Sequence, residues 1–346
     1  MIALDATYST GDSLSGVGVY SREILHGLAA SDSVLNHAAI GWEWFYRSQR
    51  YWRARGQPKP PNVRIRFLAD SWGNRKAALF HGLNQRLPRR RFKRQVSTFH
   101  DLFVLSGDYS TPEFRERFAA QAREAAAASD LIIAVSAFTA SQVESLLGVP
   151  AARIRVIHHG VVRRALPSLP KEKIVLCAGA IQRRKNQAAL VRAFRAMPPD
   201  WRLVLAGSAG FEARETWNEM EASPCRERIE ATGYIPDSEL AALYAKAMIF
   251  AFPSLDEGFG MPVLEAMAAG IPVIAGNRSA LPEVAGQAAL LVDPSDDAEL
   301  AEALNSLASD QNLRNSLILK GHEHAKAITW TKAVGETAAV YQELID

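Results

Sequence analysis

Short runs rich in Ile, Val, Leu and Phe alternate with longer amphipathic stretches along this chain, and each run is too brief to be a helix of its own. That alternation restricts the fold to the α/β class, and right-handed crossovers between parallel strands then require doubly wound sheets. One series of predicted strands lies at residues 2–5, 38–41, 63–67, 96–100, 131–135 and 154–158. A second lies at 174–178, 203–206, 248–252, 273–275 and 289–292. Ser110-Thr-Pro-Glu113 reads as a capping box opening a helix to about Ala128, and Asp237-Ser-Glu-Leu240 reads as the cap of another. The polar segment Pro167-Ser-Leu-Pro170-Lys-Glu-Lys173 separates the two series. At 346 residues the chain exceeds the usual size of one core. Two Rossmann-like domains are expected, residues 1–166 and 167–328, with a terminal helix over 329–346 that carries Val334, Ala338, Tyr341 and Ile345 at helical spacing. Ligands of such sheets bind outside the carboxyl ends of the strands, so two domains facing each other would enclose a cleft lined by strand-to-helix loops.

Composition narrows the function. Forty basic against thirty-seven acidic residues give +3, too balanced to argue for nucleic acid. Cys177 and Cys225 are far apart, which predicts neither a disulfide framework nor a zinc site and suits a reducing compartment. The opening residues Met-Ile-Ala-Leu-Asp do not resemble a secretory signal, and no apolar stretch approaches a membrane span. A cytoplasmic protein is expected, either free or docked on the inner face of a membrane.

Four loops carry candidate chemistry. After the predicted strand at 248–252 comes Glu257-Gly-Phe-Gly-Met-Pro262-Val-Leu-Glu265, where Pro262 suits the first turn of a helix and Gly270 with Pro272 its end. Gly258, Phe259 and Gly260 leave peptide N–H groups at a helix N-terminus, where oxyanions are favoured. Glu257 and Glu265 either accept hydrogen bonds from the vicinal hydroxyls of a sugar and a ribose, or cap and solubilise the helix. The second loop, Gly179-Ala-Ile-Gln-Arg183-Arg184-Lys185-Asn186, presents cations that would neutralise a pyrophosphate, unless it is a solvated basic turn. The third follows the first strand and contains Gly16 and Gly18, which either admit an anion to the backbone or simply form a turn. The fourth is Thr98-Phe-His100-Asp101-Leu102, where His100 is a reactive-site residue or a satisfied structural one, with Asp101 fixing its tautomer. No Asp-x-Asp occurs, so no metal ligands and metal-independent chemistry are expected.

The two glutamates eight positions apart, followed by Ala-Met-Ala-Ala-Gly-Ile-Pro-Val-Ile, resemble the retaining glycosyltransferases of family 4, which have the GT-B fold. The similarity extends through Gly233-Tyr-Ile-Pro-Asp-Ser-Glu-Leu-Ala-Ala-Leu-Tyr244 and Ser279-Ala-Leu-Pro-Glu-Val-Ala-Gly286. The resemblance implies that Glu257 approaches the donor hexose, that Glu265 binds the nucleotide ribose, and that peptide groups of Phe259, Gly260, Met261, Val263 and Leu264 face the hexose and diphosphate. It assigns the phosphates to Arg184 and Lys185, the N-terminal side of the diphosphate and the acceptor pocket to the loop of Gly16, and the neighbourhood of the reacting sugar to His100 and Asp101. Many members carry an arginine directly after the loop glycine; here that position is Ala180, so the clamp rests on fewer cations or borrows Arg183. Family members are described by front-face displacement, in which the leaving phosphate takes the acceptor proton. In the family the terminal helix crosses back to the first domain. Phe80-His-Gly, Pro88, His158-His-Gly160 and Arg184-Lys-Asn186 most resemble bacterial mannosyltransferases building O-antigen or exopolysaccharide, which implies GDP-mannose as donor, no cofactor besides this co-substrate, and a glycan or lipid-linked glycan as acceptor.

The run Arg86-Leu-Pro-Arg89-Arg90-Arg91-Phe92-Lys93-Arg94 is either a solvated loop or a docking surface for anionic headgroups, with Leu87 and Phe92 inserting. It has too little aromatic interleaving for nucleic acid. Two other functions compete with transfer: a non-catalytic sugar-nucleotide-binding scaffold, and a dinucleotide-dependent oxidoreductase or epimerase. The latter would need a Gly-x-Gly-x-x-Gly spacing that the first loop lacks.

Overall fold

The computed structural model describes residues 1–11, 14–31, 41–69, 77–89, 91–161 and 163–346. It divides into two units, one of Met1–Ser106, Pro112–Gly160 and Thr329–Asp346, the other of Gly107–Thr111 and Val161–Ile328. The change of unit at Gly160 precedes the proline-bearing segment at 167–173, which lies inside the second unit.

The first unit holds a wholly parallel sheet of β1 (Ile2–Asp5), β2 (Trp42–Tyr46), β3 (Val63–Phe67), β4 (Leu79–Gly82), β5 (Gln95–Phe99), β6 (Leu131–Ala134) and β7 (Ile154–Val156), in the order β3-β2-β1-β4-β5-β6-β7. Its helices are α1 (Gly16–Ala30), α2 (Gln49–Arg55), α3 (Phe103–Ser106), α4 (Pro112–Ala128) and α5 (Ala137–Leu147). β1, β4, β5 and β6 are buried along their whole length; β1 and β6 read as apolar runs for that reason, whereas β4, which contains His81, is not among the expected strands and β5 carries buried Gln95, Ser97 and Thr98. β3 is different. Val63 is buried while Arg64, Arg66 and Phe67 are exposed, the charged alternation of an edge strand.

Of the strand expected at 38–41, residues 38–40 lie outside the described ones; in the described chain, pairing with β1 is seen from Trp42, in β2. Glu43, inside an aromatic run, hid this strand. Its buried carboxylate accepts from Arg66 Nε on β3 at 3.1 Å, so a charge that argued against a central strand is satisfied by the neighbouring one. The helix Trp330–Ile345 belongs to the first unit, where Val334, Ala338 and Tyr341 enter one core with Ile24, Leu25 and Leu28 of α1.

A polar chain runs through that core. His81 Nδ1 lies 2.6 Å from the Tyr341 hydroxyl, His81 Nε2 lies 2.8 Å from Thr98 Oγ1, and Thr98 Oγ1 lies 2.9 Å from the Tyr20 hydroxyl. A neutral imidazole accepts one of these bonds and donates the other. Burial, with His100 nearby, holds His81 down at about 3, and burial lowers His100 to about 4 against the pull of the Leu83 carbonyl. Both rings are neutral at pH 7 and must take up protons when the chain unfolds in acid. The stability they contribute is therefore complete above the unfolded histidine value of about 6.5 and is lost as pH falls through the folded values. The unfolding free energy from urea titrations is expected to drop between about pH 7 and about pH 5, by on the order of a few kcal/mol, and His81→Asn should flatten the slope. An unchanged free energy across that range would contradict neutral buried rings.

The second unit repeats the plan with β8 (Glu172–Ala178), β9 (Arg202–Ala206), β10 (Ile229–Gly233), β11 (Ala247–Phe252), β12 (Val273–Gly276) and β13 (Ala289–Val292), all parallel, in the order β10-β9-β8-β11-β12-β13. Its helices are α6 (Gln187–Phe194), α7 (Ala213–Glu221), α8 (Asp237–Lys246), α9 (Met261–Ala268), α10 (Leu281–Ala285), α11 (Asp297–Ser309) and α12 (Gln311–Ala327). Asp237 does not cap α8: Pro236 holds the cap position and Asp237 is the first helical residue, its carboxylate 3.1 Å from Arg164. Among the described residues no helix is long and apolar enough to cross a membrane.

Strand order reverses between β1 and β4 in the first unit and between β8 and β11 in the second. The loops leaving β8 and β11 therefore flank a crevice outside the carboxyl edge of the second sheet.

Candidate functional site

Those two loops bring Arg184, Lys185 and Glu257 together. The first turns through Arg183–Lys185 into Asn186, which adopts φ 56° before α6 begins. The second is tied to it by the Leu255 N–H, which donates to the Arg184 carbonyl at 2.8 Å. Lys185 Nζ lies 2.5 Å from Glu257 Oε1 and 4.5 Å from the centre of the Phe252 ring. Arg184 Nη1 lies 3.1 Å from Glu257 Oε2 and also donates to the Asp256 carbonyl. The three side chains are 8–12% exposed, so this is a buried ion triad with a net charge of one cation. Burial pushes the Glu257 carboxyl up, but Arg184 and Lys185 hold it below the usual carboxylate range. Burial also lowers the Lys185 ammonium, which Glu257 opposes.

Ser279, absent from the sequence reading of this site, fixes the loop: its Oγ accepts from the Glu257 N–H at 2.9 Å. Arg183 is not part of the clamp. Its guanidinium pairs with Glu212 at 3.2 Å on the exposed surface, so the position vacated at Ala180 is not filled from there.

Gly260 closes the loop ahead of α9 at φ 97°, and a Cβ there would come within 2.6 Å of Leu281 Cδ2, so only glycine fits. Of the peptide groups that follow, Pro262 has no N–H and the Val263 N–H is committed to the Gly260 carbonyl at 3.0 Å. The side chains of Val263 and Leu264 are buried in the core, as is Phe259, so these residues reach a ligand only through their backbone. Gly258 and Met261 complete the turn beside them.

Glu265, one turn inside α9, has partners that sequence reasoning missed. Arg164 Nη2 lies 3.4 Å from each carboxylate oxygen, and the Tyr244 hydroxyl donates to Oε2 at 3.2 Å. Burial raises the Glu265 carboxyl above its ordinary value, outweighing Arg164. The same three residues line a cavity of about 240 Å³ that also receives Arg163, His322 and Lys326. Arg164 stands 101 positions from Glu265, and its only sequence signal was a dibasic pair next to a proline-bearing segment.

In the first unit, His100 follows β5 and is buried, with Nε2 2.9 Å from the Leu83 carbonyl. A carbonyl only accepts, so Nε2 carries the proton and the neutral ring keeps Nδ1 as an acceptor. The ring stacks on His159 (5.4 Å, 22°) and meets Tyr20 edge-on (4.7 Å, 79°). Asp101 is half-buried and its carbonyl accepts from Gln85. Gly16 is the first residue of α1, capped by Ser15. Gly18 lies in the first turn of α1, where its N–H donates to Ser15 Oγ at 3.3 Å and a Cβ would lie 2.8 Å from the Tyr8 carbonyl.

The insertion expected of the basic run is also overturned. Phe92 is buried, stacking on Phe80 at 4.7 Å, and Leu87 packs against the same core, so neither reaches a bilayer. Arg91 and Arg94 lie 3.5 and 3.8 Å from Asp130, and Arg90 falls outside the described residues.

Two doubly wound parallel sheets in one chain, the second with a cationic and carboxylate loop pair at its switch point, form an architecture suited to a phosphate-bearing ligand. The model described as Glycosyltransferase Family 4 matches residues 14–163, and that described as Glycosyl transferases group 1 matches residues 161–324. O-antigen chain mannosyltransferase B of Escherichia coli is 34% identical over 296 residues, 80% of this chain and 77% of that one. Sucrose-phosphate synthase from Thermosynechococcus elongatus superposes with a TM-score of 0.78 at 23% identity, covering 99% of this chain and 98% of its own. Anabaena Alr3699/HepE in complex with UDP and glucose superposes with a TM-score of 0.73 at 17% identity, covering 99% and 98%. The chain belongs to glycosyltransferase family 4. An oxidoreductase or epimerase is thereby set aside.

Proposed function

We propose that this glycosyltransferase moves a hexose, with retention at the anomeric carbon, from a nucleoside diphosphate sugar to a hydroxyl of a glycan or lipid-linked glycan during cell-surface polysaccharide synthesis. The observation that carries the reading is the buried Arg184–Lys185–Glu257 triad at the β8/β11 switch point, with Glu265 one turn beyond it on α9. The likeness to a mannosyltransferase supports mannose, and with it GDP-mannose as donor.

In this reading Glu265 accepts hydrogen bonds from the ribose hydroxyls, the amides of residues 258–261 face the diphosphate, and Glu257 orients the hexose. As the bond from the anomeric carbon to the phosphate oxygen breaks, negative charge grows on the departing diphosphate. Attraction to Lys185 and Arg184 grows with it, which lowers the barrier without a divalent cation. The acceptor oxygen bonds to the anomeric carbon on the face the phosphate leaves, and its proton passes to that phosphate. His100, neutral with its N–H committed to Leu83, serves the hexose as a hydrogen-bond acceptor rather than as an acid. Gly16 and Asp101 support the acceptor side. The exposed Arg89, Arg91 and Lys93 are assigned electrostatic contact with anionic headgroups, tested by salt-dependent vesicle sedimentation.

Incubation with a panel of sugar nucleotides, with and without EDTA, tests the whole. Expected are release of nucleoside diphosphate from GDP-mannose, an α-linked product by NMR, and rates insensitive to EDTA. Tight binding without turnover would make the chain a scaffold, and a β-linked product or loss of activity in EDTA would sink those parts of the mechanism.

Arg164 gives a pH prediction. Glu265 must be ionised to accept both hydroxyls, and removing Arg164 leaves burial opposed by the Tyr244 hydroxyl without that cation, raising its carboxyl further. Arg164→Ala should therefore lose nucleoside diphosphate affinity at a higher pH than the parent as the solution is acidified, because its Glu265 is protonated earlier. Coincident pH profiles would show that Arg164 does not control Glu265.

A further inference from the structure

A second cationic concavity lies wholly in the first unit, among the segments that follow β1, β2, β3 and β4. Outside the carboxyl ends of β1 to β4, Arg47, Arg50, Arg53 and Arg86 line a cavity of about 630 Å³, with Thr7 at its floor and Phe67 at its rim. Arg47 is 8% exposed and lies 3.4 Å from Asp5, which ends β1 and is itself buried. Arg50 donates to the Thr7 carbonyl at 2.7 Å and stands 5.2 Å over the Tyr8 ring, so its guanidinium is fixed toward the cavity floor. Arg53 and Arg86 have no carboxylate within ion-pair distance among the described residues. Asp5 offsets one guanidinium and leaves three, converging on one concave surface with no acidic residue in the described lining. The backbone is also bent to make it: Ser48, between β2 and α2, sits at φ 50° without being glycine.

Cations gathered this way repel each other, and the arrangement becomes favourable when a multivalent anion sits among them. Guanidinium forks pair bidentately with phosphate oxygens. We infer that this cavity is a second oxyanion site, taking a phosphate or diphosphate group carried by the acceptor and separate from the phosphates of the donor. That the anion belongs to the acceptor rests on the transferase reading; that an anion binds here does not. Phe67, half exposed at the rim, offers apolar contact to whatever the phosphate is attached to.

The test is calorimetric titration of the full chain with inorganic pyrophosphate while GDP saturates the donor site. One additional equivalent is expected to bind. Arg53→Glu and Arg86→Gln, chosen because neither side chain holds another element in place, should each weaken it by about tenfold or more while leaving GDP binding within about twofold. No binding to the parent, or equal affinity in both variants with unchanged circular dichroism, would overturn the site. A short-chain prenyl diphosphate, glucose 1-phosphate and phosphatidylglycerol vesicles distinguish the sources. Tighter binding of the prenyl compound identifies a lipid-linked acceptor, and tighter binding of the sugar phosphate a soluble one. Vesicle binding lost in the variants, with no soluble phosphate bound by the parent, would replace the site by a membrane-docking patch. If GDP fails to bind but the pyrophosphate result holds, the donor reading falls and the anion site stands.

Discussion

Lys185→Ala is expected to lower kcat by on the order of 10²- to 10³-fold while changing the Kd for the intact sugar nucleotide donor by no more than about threefold. The asymmetry follows from where the ammonium sits. Before reaction it is 2.5 Å from Glu257 and its charge is largely engaged there. Its interaction with the diphosphate becomes important as the leaving group gains charge, which is a transition-state effect and appears in kcat. Lys185→Arg keeps the charge but not the compact geometry over the Phe252 ring, and should recover less than about a tenth of the lost rate. Steady-state kinetics beside calorimetry separate the two quantities. A Kd raised in proportion to an unchanged kcat would show that Lys185 merely holds the donor.

The second large effect is on Glu257. Glu257→Ala leaves Arg184 and Lys185 buried without their anion, and breaking a buried pair from one side costs about 3–5 kcal/mol. Urea unfolding should register a loss of that order together with loss of detectable transfer. Because the cost is the stranded cations rather than a missing contact, Glu257→Ala/Lys185→Ala should be more stable than Glu257→Ala alone, a coupling measurable in a double-mutant cycle. Additive losses would contradict the triad.

What the chain disclosed about itself depended on the reach of each signal. β1 and β3 were legible to the residue because a strand buried on both faces, or alternating at an edge, writes its pattern locally, and β13 because its four residues form a short apolar run. β2 and β10 were not, since Glu43 and Glu230 interrupt them; Glu43 is satisfied by a partner 23 positions away. Glu257, Arg184 and Lys185 were each recognisable within their own loop, but that they neutralise one another across 72 positions was not. Phe92 shows the opposite failure. Surrounded by arginines it reads as a surface residue, and only the packing of Phe80 and Phe45 around it explains why it is buried.

The most direct measurement is a comparison of GDP with its 2′,3′-dideoxy analogue on the parent and on Glu265→Gln. If the carboxylate on α9 receives the ribose, the parent binds the analogue at least about tenfold more weakly than GDP, and the variant binds both equally and weakly. The same preference for GDP in both proteins would place the nucleotide elsewhere and contradict the account.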